Sequence, residues 1–375
     1  MNNIIQIVSF NVPYPPDYGG VMDVYYKIKA LKELGYQIIL HTFDYGRGKS
    51  DLLEDICYMV YYYERSRSIL YSFSGLPFIV RSRANKKLCD NLQKHKGVVL
   101  LEGIHTTYPL YNGCLKNHHV IVRTHNVEYL YYQGLALSEK NTFKKIYYHT
   151  ESAKLKKYEI EVLAGANHIA AISQNDAVYF RQFFTNVSVI LPFHDNEKVT
   201  TKIGKGDYIL IHGDLSVPEN VQSVIWLLEK VISKIKFPVI IAGKNPNKFI
   251  VKLSQKFSNV TLKSNPEMYE MCSLIENAHI HLIHSFYPQG MKLKLLNSLF
   301  KGRFVVANSS VINNTGIEKL CFIANNQNDF LFHIHKLVDK VFDSEDLSYR
   351  TEHLKHFTSK EQAKKLSELF YNGNN

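Results

Sequence analysis

Short apolar runs alternate with amphipathic helical stretches along the whole chain, and this alternation, met twice, leaves few folds open. Ile4–Phe10 reads as a short buried strand, and a Pro-rich loop (Pro13, Pro15, Pro16) leads from it to Gly19 and Gly20. Val21, Val24, Ile28 and Leu31 then recur at helical spacing, Gly35 stops the helix, and Gln37–His41 is the next strand. Strand, glycine turn, helix and strand in this order form a βαβ unit, which requires a parallel sheet. The pattern continues through strands near Cys57–Tyr63, Val98–Leu101, Val120–Arg123, His168–Ile172 and Val187–Leu191. Helices are expected over Arg83–Lys94 and Glu139–Leu163, with another from Gln174.

Residues 192–206 (PFHDNEKVTTKIGKG) hold few apolar side chains and read as a linker. The alternation then restarts, with strands at Tyr208–His212, Val239–Ala242, Val260–Leu262, Ile280–Ile283 and Phe304–Ala307. Two consecutive βα runs predict two Rossmann-like, doubly wound parallel-sheet domains facing across a cleft, over residues 1–192 and 207–350. Ligands of such sheets lie beyond the carboxyl ends of the strands, so the cleft is the expected site.

A length of 375 residues suits two domains with well-buried cores. The net charge of +11 favours acidic partners, whether phosphorylated small molecules, anionic lipid or nucleic acid. No element combines clustered arginines with aromatics in the manner of a nucleic-acid reader, so that class is set aside. The five cysteines are scattered, with no C-x-x-C pair, and predict a reducing compartment without a disulfide framework or zinc knuckle. The start MNNIIQIVSF lacks the basic and long apolar regions of a signal peptide, and no apolar run reaches membrane-spanning length. The expected location is cytoplasmic. Lys140, Lys144, Lys145, Lys154, Lys156 and Lys157, interleaved with Phe143, Ile146, Tyr147 and Tyr158, add peripheral contact with an anionic membrane as a partner class, beside the plain reading of a solvated helix face.

Residues 284–308 (HSFYPQGMKLKLLNSLFKGRFVVAN) place a polar Pro-Gly loop between an apolar run and a helix. Gly290 falls at the helix mouth, Met291 beside it, and Lys292 and Lys294 in the first turn, where free N–H groups and the helix dipole favour an anion. Two lysines at that point suit a diphosphate. His279, His281 and His284, and the pair His333 and His335, lack a carboxylate or cysteine at ligand spacing, so no metal site is expected. Asp343–Asp346 reads as a helix boundary rather than a metal–sugar motif.

The segments GDLSVPENVQSVIWLLEKVISKI, IIAGKNPN, ENAHIHLIHS and QGMKLKLLNSLFKGRFVV follow one another in an order that resembles the donor domain of the retaining glycosyltransferases of family 4, which have the GT-B fold. The resemblance covers about residues 207–325. It implies that Gly213 and its loop approach a nucleotide sugar, and that Lys292 and Lys294 lie near the diphosphate. Where the family carries carboxylates, this chain has Asn297, implied to hold the ribose, and Gln289. More loosely, PDYGGVMDVYYKIKALKELGYQIILHT resembles the family's opening loop and helix, with Gly19 and Gly20 close to the donor, and VRTHNVEYLYY resembles its R-x-H-N-x-E segment. That match makes His125 the candidate for orienting the transferred sugar, with Asn126 and Glu128 shaping the loop. Glu102 and His105, at another strand end, are candidate acceptor contacts. The last segment, about 351–375, resembles the helix that returns to the first domain.

The resemblance thus implies a hexosyl transfer from a UDP- or GDP-linked sugar to a glycan or lipid-linked acceptor in surface polysaccharide or glycolipid assembly, without cofactor or metal. Two other readings share the fold. One is a binding or scaffold subunit, motivated by Gln289 and Asn297. The other is a sugar-nucleotide 2-epimerase, for which the cleft acids are not in evidence.

Overall fold

The computed structural model describes residues 3–139, 141–286 and 291–371. The chain divides into two compact units, one built from residues up to Asp195 together with those from Phe357 onward, the other from Asn196–His356.

The first unit holds β1 (Ile4–Ser9), β2 (Gln37–Asp44), β3 (Met59–Glu64), β4 (Val98–Glu102), β5 (His119–Thr124), β6 (His168–Ala171) and β7 (Val187–Val189). All are parallel, in the order β3-β2-β1-β4-β5-β6-β7. Ile5, Ile7, Val8, Val99–Leu101 and Val120–Val122 are buried as near-continuous runs, because helices cover both faces of the sheet. The helix Gly19–Glu33 turns Val21, Val24, Ile28 and Leu31 inward, and ends where Gly35 takes a φ of +89°. The helix Ser359–Glu368 packs here too: its Ala363 and Leu366 join Val24, Ile28 and Leu31 in one buried cluster.

The second unit holds β8 (Ile209–His212), β9 (Val239–Gly243), β10 (Val260–Ser264), β11 (Ile280–Ile283), β12 (Phe304–Ala307) and β13 (Phe322–Ile323). They too are parallel, in the order β10-β9-β8-β11-β12-β13. The central helix, Leu293–Lys301, has nine residues, below the length at which an isolated helix persists in water, roughly 12–15 residues. Burial of Leu295, Leu296, Leu299 and Phe300, each worth about 2 kcal/mol, is what forms it.

In each sheet the strand order reverses direction once, between β1 and β4 and between β8 and β11. At such switch points the loops leaving neighbouring strands part to opposite faces and open a crevice at their carboxyl ends.

Three local expectations change. Residues 192–206 are not a loose linker: Phe193, His194, Asn196 and Thr201 are buried, and His194 is held by Ser359 and Phe357. An additional helix, Glu128–Ser138, precedes the long one, which runs over Thr142–Leu163. It has no side-chain cap of its own; the carboxylate of Glu159 accepts from the N–H groups of Glu128 and Tyr129 at 2.8 and 3.1 Å instead. Cys89 and Cys114, 25 residues apart, are joined in a disulfide with Cα atoms 6.0 Å apart, against the expectation of unpaired cysteines. The helix boundary expected at Asp343–Asp346 is present: Asp343 caps the helix Ser344–Leu354 through a reciprocal box with Asp346. No described helix is long and apolar enough to cross a membrane.

Candidate functional site

In the first unit, the switch point collects charge that the hydrophobic stripe of the helix Gly19–Glu33 conceals. Asp23 and Lys27, one turn apart, point inward among the apolar residues and are buried. Lys27 Nζ donates to Asp23 Oδ2 at 2.8 Å and to Glu102 Oε1, at the end of β4, at 2.6 Å. Arg123, in β5, donates to Asp23 Oδ1 at 3.0 Å, and the Phe193 N–H adds a bond of 2.9 Å to the same oxygen. Two carboxylates thus face two cations away from solvent. Burial alone would raise the Asp23 and Glu102 carboxyls; Arg123 and Lys27 outweigh it at Asp23, as Lys27 and His125 do at Glu102, and both are held below the ordinary carboxylate range.

His125 joins this network through Nε2, 3.0 Å from Glu102 Oε2. Its side chain is 10% exposed, so the network fixes the imidazole while one edge stays accessible. Asp23, Glu102 and His125 bring ligand-type atoms within 4.8 Å of one another. The Lys27 ammonium already bridges the two carboxylates, so the set behaves as an ion network in which a lysine fills the cationic place.

Gly19 opens the helix, and Gly20 is packed so that a Cβ there would meet Phe10 Cζ at 2.7 Å. Glu102 departs from its expected role: fully buried, with both oxygens engaged, it orients His125 rather than meeting an acceptor. His105 lies against Phe10, with ring centroids 5.4 Å apart, and burial together with Arg83 and His125 pushes its pKa far down, leaving a neutral ring. Glu128 is buried and raised to about 7 by that burial, with Asn126 bonded to it just after β5.

The second unit builds a different group at its own switch point. Gly213 follows β8 with a φ of +151°, and a Cβ on Gly243 would overlap the Gly213 carbonyl oxygen, so both positions need glycine. The helix Pro218–Trp226 begins just beyond and presents Glu219 and Asn220 from its first turn. Lys292 Nζ pairs with Glu219 Oε1 at 2.9 Å, and Ser285 Oγ donates to the same oxygen. Lys294 Nζ donates to Asn220 Oδ1 at 3.0 Å. Burial and the neighbouring Lys292 lower Lys294 to about 8, against a pull upward from Glu219. His212, at the end of β8, is buried with neither ring nitrogen partnered, and burial and Lys294 hold it near 3, as a neutral ring. His284 stacks on Trp226, with centroids 4.5 Å apart.

Gln289 and Gly290 lie outside the described residues. Among those described, the helix starts at Leu293 with Lys292 at its N-cap, so the two lysines straddle the helix start rather than sharing a first turn opened by Gly290. Met291 is buried, and Asn297 accepts from Asn196 Nδ2 at 2.8 Å. Three histidines of the H-x-H strings are bound within the fold: His279 bonds the Leu337 carbonyl, His281 bonds Ser298, and His333 bonds the Ile323 carbonyl, while His335 is exposed. On the helix Thr142–Leu163, Lys144, Lys145, Lys156 and Lys157 are exposed, as are Phe143 and Ile146, whereas Lys154 is bonded to Ser72 and Glu151 and Tyr158 is buried in the core rather than on the expected face. Lys140 lies outside the described residues.

Asp23, Lys27, Arg123, Glu219 and Ser285 were not singled out from sequence. The signal for the first two was a charged i, i+4 pair set within an apolar stripe. Glu219 had none, because an acid in a first helical turn is ordinary dipole chemistry.

No family model matches the chain. A curated relative from Klebsiella pneumoniae, described as an uncharacterized 44.6 kDa protein in cps region, is 26% identical over 368 residues, covering 92% of this chain and 93% of that protein. Among solved structures, S. aureus TarM in complex with fondaparinux, alpha-GlcNAc-glycerol and UDP superposes with a TM-score of 0.67 at 14% identity, over 99% of this chain and 100% of that one. Anabaena Alr3699/HepE in complex with UDP and glucose gives 0.63 at 11% identity, over 97% and 98%. A glycosyltransferase from Rickettsia africae gives 0.63 at 15% identity, over 98% and 97%. At such identities the likeness is one of fold, and that fold, two parallel-sheet Rossmann-like units, is GT-B.

Proposed function

We propose that this chain is a retaining glycosyltransferase that moves a sugar from a nucleotide sugar to an acceptor hydroxyl. The observation that carries the reading is the pairing of Lys292 and Lys294 with Glu219 and Asn220 at the switch point of the second unit, beside the glycine turn at Gly213. Departure of a nucleoside diphosphate builds negative charge on phosphate oxygens. Fixed ammonium groups and unpaired helix N–H groups at that spot stabilise this charge more in the transition state than in the ground state. On this reading Lys292 and Lys294 hold the diphosphate, Asn297 exchanges its bond with Asn196 for the ribose, and His125 orients the transferred sugar, held by Glu102. The UDP named with TarM and HepE supports a nucleotide-linked donor, and the relative's place in a cps region supports polysaccharide assembly.

A scaffold subunit of the same fold is the second reading, favoured by Asn297 standing in place of a carboxylate and already bonded to Asn196. Thermal shift against UDP-, GDP- and dTDP-sugars tests the donor assignment. One base series should raise Tm with saturating dependence on concentration; equal indifference to all three removes the basis for either reading.

A further inference from the structure

The carboxyl edge of the first-unit sheet carries a second concentration of charge that the ion network around Asp23 does not include. Arg65 follows β3, Arg67 lies two residues on, and Arg83 follows the short helix Phe78–Arg81. Arg83 is 5% exposed, and its Nε and Nη1 donate to the carbonyls of Phe10 and Ile79 at 3.0 and 2.7 Å. Arg65 donates to Ser82 Oγ at 3.1 Å. The ring of Tyr45 is flanked by the guanidinium groups of Arg65 and Arg67, at 4.5 and 4.8 Å from its centroid.

Among the described residues, none of these three arginines lies within ion-pair distance of a carboxylate. Asp44, which feels Arg67, turns its Oδ1 onto the N–H groups of Gly46, Arg47 and Gly48. Glu128, within the field of Arg83, is raised by burial to about 7, so near neutrality it carries only part of a negative charge. The cations therefore repel one another: burial and Arg65 lower Arg83 to about 9, and Arg83 and Arg65 both act on His105, whose Nδ1 is buried without a partner.

A single arginine tied to carbonyls needs no ligand to explain it. Here Arg83 is buried and Arg65 half-buried, neither with a carboxylate within ion-pair distance, an arrangement that costs stability until an anion arrives, while exposed Arg67 adds a third positive charge beside them. Guanidinium groups match carboxylate and phosphate oxygens in pairs, and the half-exposed Tyr45 ring offers a flat apolar face beside them.

We propose that Arg65, Arg67 and Arg83 form a receptor for an anionic group, a carboxylate or a phosphate, carried by the acceptor. That the anion belongs to the acceptor rests on the transferase reading; the anion site itself does not. The reaction would then extend a negatively charged glycan or a phosphate-linked one.

Calorimetric titration of the full chain with inorganic pyrophosphate separates the two ideas. Wild type should show two classes of site. Lys294→Ala should keep the first-unit class, and Arg65→Gln with Arg67→Gln should keep only the other, with first-unit affinity reduced about tenfold or more. Because Arg65 and Arg67 are partly or fully exposed, unchanged circular dichroism is expected for that double variant. In the Lys294→Ala background, glucuronate and methyl phosphate identify the preferred anion, and glucose should not bind. Anion affinity unchanged by the arginine substitutions in that background, or glucose binding as well as glucuronate, overturns the proposal. Loss of a site in the arginine variant but not in Lys294→Ala supports it while removing the diphosphate assignment.

Discussion

Lys294→Ala should lower turnover of a nucleotide-sugar donor by about 10²–10³-fold, the usual effect of removing one preorganised charge from a leaving group. The fold should survive. A lysine that drops from 10.5 to about 8 on folding costs stability at neutral pH, a cost that fades as pH rises between those values, so its removal relieves the folded state. The same shift gives the binding a pH signature. Wild-type donor affinity should fall as pH rises through about 8, because the unliganded ammonium loses its proton there, and binding above that pH should take a proton up. The variant should lack this limb. Donor affinity and turnover equal to wild type across pH 6–9, roughly the span that brackets this titration, would remove Lys294 from the diphosphate site.

The second large effect lies in the first unit and concerns stability. Asp23→Asn keeps the shape of the side chain but removes the charge that faces both Lys27 and Arg123. Glu102 alone then opposes two fully buried cations. Breaking a buried ion network in this way costs about 3–5 kcal/mol, which denaturant unfolding should register as a lower midpoint with unchanged slope. The wild-type contribution is complete above the unfolded value of 3.8 and disappears only in strong acid, since Asp23 titrates far below it. Stability of the Asp23→Asn variant within about 0.5 kcal/mol of wild type would show that surrounding dipoles, not the carboxylate, hold the cluster.

The two rounds of βα alternation were legible because apolar runs buried on both faces have little else to become, and every strand expected from sequence is present within a few residues. What escaped depends on distant partners. The helix Glu128–Ser138 has Val127 at its N-cap, a residue without a capping side chain, and Glu159, 31 positions beyond Glu128, supplies the cap. The Cys89–Cys114 pair joins a helix to a turn 25 residues on, a proximity no spacing rule encodes.

The site divides the same way. Glycine turns, strand ends and the two lysines announce themselves through backbone chemistry: Gly213, Lys292 and Lys294 follow the switch-point strands β8 and β11, and His125 follows β5, next to β4. Their partners do not. Glu102 looked like a surface acceptor contact because a strand-end carboxylate usually meets solvent; three-dimensional closure by Lys27 makes it an internal support for His125. Glu219 looked like helix decoration until the fold brought Lys292 to it.

The most direct test of the central claim is chemical. Purified protein, incubated with UDP-, GDP- and dTDP-sugars and a panel of acceptor glycans, should release nucleoside diphosphate from one donor series, with the sugar recovered on an acceptor hydroxyl in its original anomeric configuration. Tight binding of a donor with no diphosphate released under any acceptor would contradict the account and leave a binding subunit of the GT-B fold in its place.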